Sequence, residues 1–166
     1  QCSDLLEQFG GHTYAAGLSI KAENIEAFSE RFNQVARDTL SEADLVPKLH
    51  IDAELSLDDV DDELLTSLKR FAPFGPNNPM PTFVSYDIAL SGYPRIVGMN
   101  HLKFKVRSSG SVIDCIGFNL GDRLQRMDPN RASNHLVYTI QENEWMGRVY
   151  LQLHILDVKS GPRPEL

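Results

Sequence analysis

His101-Leu102-Lys103-Phe104-Lys105-Val106-Arg107 is the stretch on which the reading of this chain turns. Polar and apolar side chains alternate without a break. Successive side chains of a β-strand point to opposite faces. Leu102, Phe104 and Val106 therefore belong to a buried face, and His101, Lys103, Lys105 and Arg107 to the other one. A slip of one residue would bury four polar groups and expose three apolar ones, so the register is strongly specified. The outward row of cations has two readings. It is either a solvated sheet face or a track for the phosphates of a polyanion.

Working outward, the chain from Thr82 on reads as β throughout. Candidate strands cover 82–92, 101–107, 111–118, 135–141 and 148–158, and a short helix over 119–127 carries Leu120, Leu124 and Met127. Five strands with a helix between the third and fourth is the order of an OB-fold barrel. Such barrels bind oligonucleotides on this second strand, the third and the flanking loops. Arg95 precedes the second strand and joins the candidate DNA-binding set with His101, Lys103, Lys105 and Arg107. Phe104 points inward in this register. Tyr93, Tyr138, Trp145 and Tyr150 remain as stacking candidates, and Trp145 is expected to pack over the barrel end.

The charge distribution agrees with a cationic surface in this half. The net charge of the whole chain is −7, which by itself disfavours a polyanion ligand. Residues 1–81 carry 15 acidic and 6 basic side chains, whereas residues 82–166 carry 8 and 10. Local sign steers a polyanion more than the total does.

Upstream, residues 48–57 alternate and predict a half-buried strand with Leu49, Ile51, Ala53, Leu55 and Leu57 on one face. Asp58, Asp59, Asp61 and Asp62 precede Leu64, Leu65 and Leu68, as caps and dipole partners of a helix over about 60–70. Pro73, Pro76, Pro79 and Pro81 then fix φ and remove donors, which predicts a rigid connector anchored by Phe71 and Phe74. Residues 25–40 repeat Ile25, Phe28, Phe32, Val35 and Ala36 at helical spacing, with Asn24 in the capping position. Residues 15–20 predict a short buried strand. Residues 3–9 predict the end of a helix stopped by Gly10-Gly11.

The run Phe9-Gly10-Gly11-His12-Thr13-Tyr14-Ala15-Ala16-Gly17 is a candidate phosphate contact. Glycines let a phosphate approach the backbone, free N–H groups at a bend can cradle an anion, and His12 can donate to a phosphate oxygen. A plain helix C-cap is the other reading.

Some chemistries are disfavoured. Cys2 and Cys115 make neither a disulfide framework nor a zinc set, and Cys115 reads as a buried thiol, which suits a reducing cytoplasm. No apolar run is long enough to cross a membrane as a helix. His12, His50, His101, His135 and His154 are dispersed, so no two-metal nuclease centre is visible and no catalytic residue is expected within this stretch. The start at Gln1, which enters directly into patterned sequence, suggests a piece of a longer protein.

Several separated strings together carry a resemblance. They are Phe9 to Gly17, then Pro73-Phe74-Gly75-Pro76-Asn77-Asn78-Pro79-Met80-Pro81-Thr82-Phe83, then His101-Leu102-Lys103, and then Asn143-Glu144-Trp145-Met146-Gly147 followed by Gln152-Leu153. In this order and spacing the chain resembles the C-terminal part of the RecJ family of single-stranded-DNA-specific exonucleases, in the DHH phosphoesterase superfamily. Asn77 departs from the family's usual glycine. Asn tolerates the left-handed region, so the turn is expected to survive.

The resemblance implies an α+β chain with residues 1–46 as the end of a DHHA1 domain. Residues 47–81 would be a strand–helix unit and Pro-rich connector packing on the next domain, 82–160 the OB-fold, and 161–166 a tail. It implies a parent enzyme that degrades single-stranded DNA from the 5′ end in repair and recombination. Its Mn²⁺ or Mg²⁺ would be held by a DHH domain outside this sequence, with no cofactor expected here. Gly10, Gly11 and His12 would contact DNA phosphate near the scissile end. Single-strand-binding protein is an implied partner, and the alternative function is a module that docks it.

Overall fold

The computed structural model describes residues 1–163, so the last three residues of the expected tail lie outside the described residues. The chain divides into two compact units, with the division after Leu49.

In the first unit a 3₁₀ turn over Ser3–Leu5 leads into strand β1 (Leu6–His12), which pairs antiparallel with β2 (Ala15–Ile20). The expected helix over residues 3–9 is therefore corrected. Its apolar positions, Leu5, Leu6 and Phe9, were too few to separate helix from strand, and β2 supplies the backbone partners that decide for strand. Gly10 lies opposite Gly17, and Gly11 opposite Ala16. A Cβ on Gly11 would come within 2.6 Å of the Ala15 carbonyl oxygen and 2.8 Å of Ala16 Cα. Gly11 is thus required by close approach within the hairpin, not by a helix cap. The β2 strand is present but exposed along most of its length, contrary to the expected burial.

Helix α1 spans Ile25–Thr39. Phe28 and Phe32 stack on its apolar face with ring centroids 5.4 Å apart. Asn24 holds the capping position, but its side chain makes no cap. Its Nδ2 donates to the Leu5 carbonyl at 3.2 Å instead. Arg31 donates to both carboxylate oxygens of Asp4, at 2.6 and 2.8 Å.

The second unit holds one seven-stranded sheet. Its strands are β3 (Ala53–Glu54), β4 (Phe83–Ile88), β5 (Arg95–Val97), β6 (His101–Arg107), β7 (Val112–Gly117), β8 (Asn134–Trp145) and β9 (Arg148–Ser160). They lie in the order β3-β4-β8-β9-β7-β6-β5. β7 and β9 run parallel, and every other pair except β3 with β4 is antiparallel. Within this order β4, β6, β7, β8 and β9 are the five strands expected of an OB-fold. The first and second of them meet past the end of β4, at a Leu90–Val106 bridge. There Ser91 N–H donates to the Lys105 carbonyl at 2.8 Å, and Arg107 N–H donates to that of Ala89 at 3.0 Å.

The core follows the alternation of β6. Leu102, Phe104 and Val106 are buried with Cys115, Leu136, Tyr138, Ile140, Leu153 and Ile155. Burial pushes the Cys115 thiol well above its ordinary pKa. It also pushes the Tyr138 phenol up to about 12. The Tyr138 hydroxyl is 2.8 Å from Ser85 Oγ, which donates to the Leu55 carbonyl at 2.5 Å.

The strand expected over 48–57 shrinks to β3. Its hydrogen bonds run only to the neighbourhood of β4, with Asp52 N–H donating to the Thr82 carbonyl and Leu55 N–H to that of Val84. Helix α2 spans Asp62–Lys69 and is capped by Asp61, whose carboxylate accepts from Leu64 N–H at 2.8 Å. Leu57, Val60 and Leu65 from this segment enter the common core. Asp58 accepts from Ser109 N–H at 2.7 Å and from the hydroxyls of Ser108 and Ser109 at 2.9 and 2.6 Å. These donors hold its carboxyl below the usual range, with the Ser109 backbone first.

In the connector, Gly75 and Asn78 bond each other's backbones at 2.9 and 3.0 Å, and Asn78 Nδ2 donates to the Phe71 and Pro73 carbonyls. The turn survives with Asn77 outside the left-handed region. Phe74 is half-buried, but Phe71 is exposed and anchors nothing. The helix expected over 119–127 is a 3₁₀ turn over Gly121–Arg126.

Asn134, fully buried, ties the Asp128–Arg131 turn to the end of β4. Its Nδ2 donates to the Ile88, Asp128 and Arg131 carbonyls, and its Oδ1 accepts from Asp128 N–H at 2.9 Å. Asn134→Ala leaves these groups without partners in the interior. It is expected to cost about 2–4 kcal/mol, read as a lower denaturant midpoint at unchanged slope.

Candidate nucleic-acid interface

The outward row of β6 is positioned by its neighbours. Lys103 lies opposite Arg95 of β5 on one side and Ile116 of β7 on the other. Lys105 lies opposite Asp114, with Nζ 3.5 Å from its carboxylate. The register continues from Asp114 to Gln152 of β9, and from Ile116 to His154. One open groove is lined by Tyr93, Arg95, Lys103, Lys105 and Asp114. A second, lined by Asn143, Trp145, Tyr150 and Gln152, shares Lys103 and Asp114 with it. Together they cross the sheet from the β5 edge to the β8–β9 hairpin.

Arg95, Lys103 and Lys105 are thus brought together, on the β5–β6 side. Arg107 is exposed at the far end of β6, opposite Val112, and outside both grooves. His101 is occupied elsewhere. Its Nδ1 accepts from Asn119 N–H at 3.1 Å, and its ring meets Phe118 edge-on at 5.2 Å. Phe118 meets His154 in the same way at 5.3 Å.

Among the aromatic candidates, the structure corrects the expected place of Trp145. Trp145 is 66% exposed, not packed over the sheet end, and Tyr93 is 79% exposed. Met146 and Gly147 both have positive φ, 51° and 73°, which is a two-residue hairpin turn of the type that matches strand twist. That turn ends β8 at Trp145 and presents it beside Tyr150. Of the four candidate aromatics, only Tyr138 is in the core. The available signal was the alternation of β9, which puts Tyr150, Gln152 and His154 on the face of Lys103.

Burial lowers the pKa of His154 below its ordinary value. The unfolded chain therefore takes up this proton before the folded chain does. Stability is retained above about pH 6.5 and falls as the pH drops further towards the folded value. Thermal melts at about pH 7.5 and about pH 5.5 should show a smaller drop for His154→Gln than for the parent chain.

In the first unit, Gly10, Gly11 and His12 lie in β1, with backbones paired to Gly17, Ala16 and Ala15. They form no bend with positive φ, so the expected amide cradle is corrected. His12 Nδ1 accepts from Tyr14 N–H at 3.2 Å, which leaves Nε2 as its donor.

Comparison with known proteins fits this geometry. Residues 51–157 match the family described as RecJ OB domain. The chain is 34% identical over 159 residues to the single-stranded-DNA-specific exonuclease RecJ of Bacillus subtilis, covering 95% of this chain and 20% of that protein. It is 33% identical over 157 residues to the protein of the same name from Haemophilus influenzae, covering 92% and 27%. It thus spans between a fifth and somewhat over a quarter of these relatives. Crystal structures of RecJ from Thermus thermophilus superpose with a TM-score of 0.70 over 99% of this chain, at 24% identity for the form in complex with Mn²⁺ and 25% for that with Mg²⁺. They cover 23% and 24% of those chains, and share the fold. By the match of most of its residues to the family model, and by the strand order that accompanies it, this chain belongs to the RecJ OB domain family.

Proposed function

We propose that this chain grips single-stranded DNA as the C-terminal part of a RecJ-like 5′-to-3′ exonuclease acting in DNA repair and recombination in the cytoplasm. The observation that carries the reading is the groove that sets Arg95, Lys103 and Lys105 beside Tyr93, Trp145 and Tyr150. Cations along one side track phosphates, and exposed aromatic faces stack bases of any identity. Duplex DNA keeps its bases stacked on each other and offers none to these rings. At the strand of Gly10, Gly11 and His12, the His12 Nε2 donor adds a second contact, to phosphate near the scissile end.

The divalent metal of such an exonuclease is not placed by this chain. Among the described residues, no three His, Cys, Asp or Glu side chains converge to hold an ion. The residues present do not fit Mn²⁺ or Mg²⁺, and no cleavage step is assigned to them. The role of the chain is to hold the strand while chemistry proceeds on another domain.

A fluorescent single-stranded oligonucleotide titrated with the 166-residue chain should show binding that weakens steeply with salt, and weaker binding to the matching duplex. A folded chain that ignored the single strand at low salt would sink the proposal. The cationic side also suits the acidic tail of single-strand-binding protein. That peptide should compete with DNA if the two share the groove.

A further inference from the structure

One aromatic ring on the cationic face lies beyond both grooves. The outer row of β9 runs from Tyr150 through Gln152 to His154, and the register carries His154 to Ile116 and Ile116 to Lys103. Ile116 is buried, an apolar floor on an otherwise polar face. Phe118, two residues on, is 55% exposed. A single exposed apolar side chain is ordinary on a protein surface. Phe118 differs in being braced. His101 of β6 meets its ring at 73° and His154 of β9 meets it at 70°, with centroids 5.2 and 5.3 Å away. His101 is itself held, because its Nδ1 accepts from the N–H of Asn119, whose φ is 56°. Two strands and a fixed turn thus hold one ring in a set orientation and leave more than half of it in solvent.

We propose that Phe118 is a second base-stacking platform, which takes one nucleobase of a single strand while Trp145 and Tyr150 take another. The inference rests on the single-strand reading above. The ring adjoins the cations of β6, so its occupant carries negative charge beside a flat apolar face, which describes a nucleotide. Tyr150 and His154 are separated along β9 by about 13 Å, so one base cannot cover both platforms. Lys103 stands beside the row between them, opposite Ile116, and holds the intervening phosphate. A ring that is already fixed loses little side-chain freedom when a base settles on it. His101 and His154 are then positioning residues. They set the plane of Phe118, and the Nδ1 of His101 serves the turn.

Two labelled tracts isolate the effect. One is a dT oligonucleotide of about 15 nucleotides, long enough to span a site of this kind of domain. The other is an abasic sugar–phosphate tract of the same length, which keeps the charge and lacks the bases. At low salt, the 166-residue chain carrying Phe118→Leu should bind dT roughly tenfold more weakly, as expected for the loss of one stacked base. Its slope of log K against log salt should match that of the parent chain, because no phosphate contact is removed. Its binding of the abasic tract should not change. Phe118→Tyr keeps a flat ring and should restore most of the affinity for dT. A Phe118→Leu chain that binds dT as the parent does overturns the proposal. So does an equal loss on both tracts, or a Phe118→Tyr chain as weak as Phe118→Leu, because Phe118 would then serve the fold alone. No binding of dT by the folded parent chain overturns the single-strand reading itself.

Discussion

Lys103→Glu combined with Lys105→Glu should reduce single-strand affinity by at least about a hundredfold at low salt. Two cations that face one groove are replaced by two anions, beside an Asp114 that then loses its Lys105 partner. Each phosphate contact to a single strand contributes about −0.7 to the slope of log K against log salt. Losing two contacts should flatten that slope by about 1.4, and this is the sharper readout. Overall misfolding would lower the amount of active protein without changing the slope of what remains. Both side chains stand on the solvent side of β6, so the melting temperature should move little. An affinity that fell while the slope stayed put would place the phosphates elsewhere.

Phe104→Ala should do the opposite. Phe104 stands between the two lysines in sequence, but its side chain is 3% exposed and lies in the core. Truncation removes the transfer free energy of a benzyl group and leaves a cavity between β6 and its neighbours. The expected cost is about 3–5 kcal/mol, or more than ~10 °C in the melting temperature of a unit of this size. Where the protein remains folded, at low temperature, the affinity for single strands should be nearly unchanged. The two substitutions, one residue apart, therefore separate the faces of one strand. A small stability loss for Phe104→Ala would mean that the register of β6 is wrong.

The register of β6 could be read from the sequence because one face is buried and the other solvated, and only one phase satisfies both. The caps of α2 were legible for a similar reason, since Asp61 satisfies a backbone donor three residues away. β1 was not legible. Leu5, Leu6 and Phe9 make a short apolar cluster that suits either periodicity, and only pairing with β2 settles it. β3 shows the converse. The alternation over residues 48–57 was real, but hydrogen bonds form only where the segment runs beside β4, so two residues count as strand. β5, three residues long, was too short to register as a pattern.

The candidate site divides along the same line. The cations of β6 and their shared face followed from the period of two. Tyr93, Trp145, Tyr150, Asp114 and Gln152 come from separate segments, and no local pattern says that they meet. Sheet order brings them together: β7 lies between β6 and β9, which carries Asp114 against Lys105 on one side and Gln152 on the other. By itself the sequence determined the strand faces, the capped helix and the sign of the charge in this half, because each depends on neighbours along the chain. Only the tertiary structure decided that a carboxylate, a buried amide and two aromatic rings share one groove with those cations. That arrangement depends on long-range pairing, whose partners are chosen by the core as a whole.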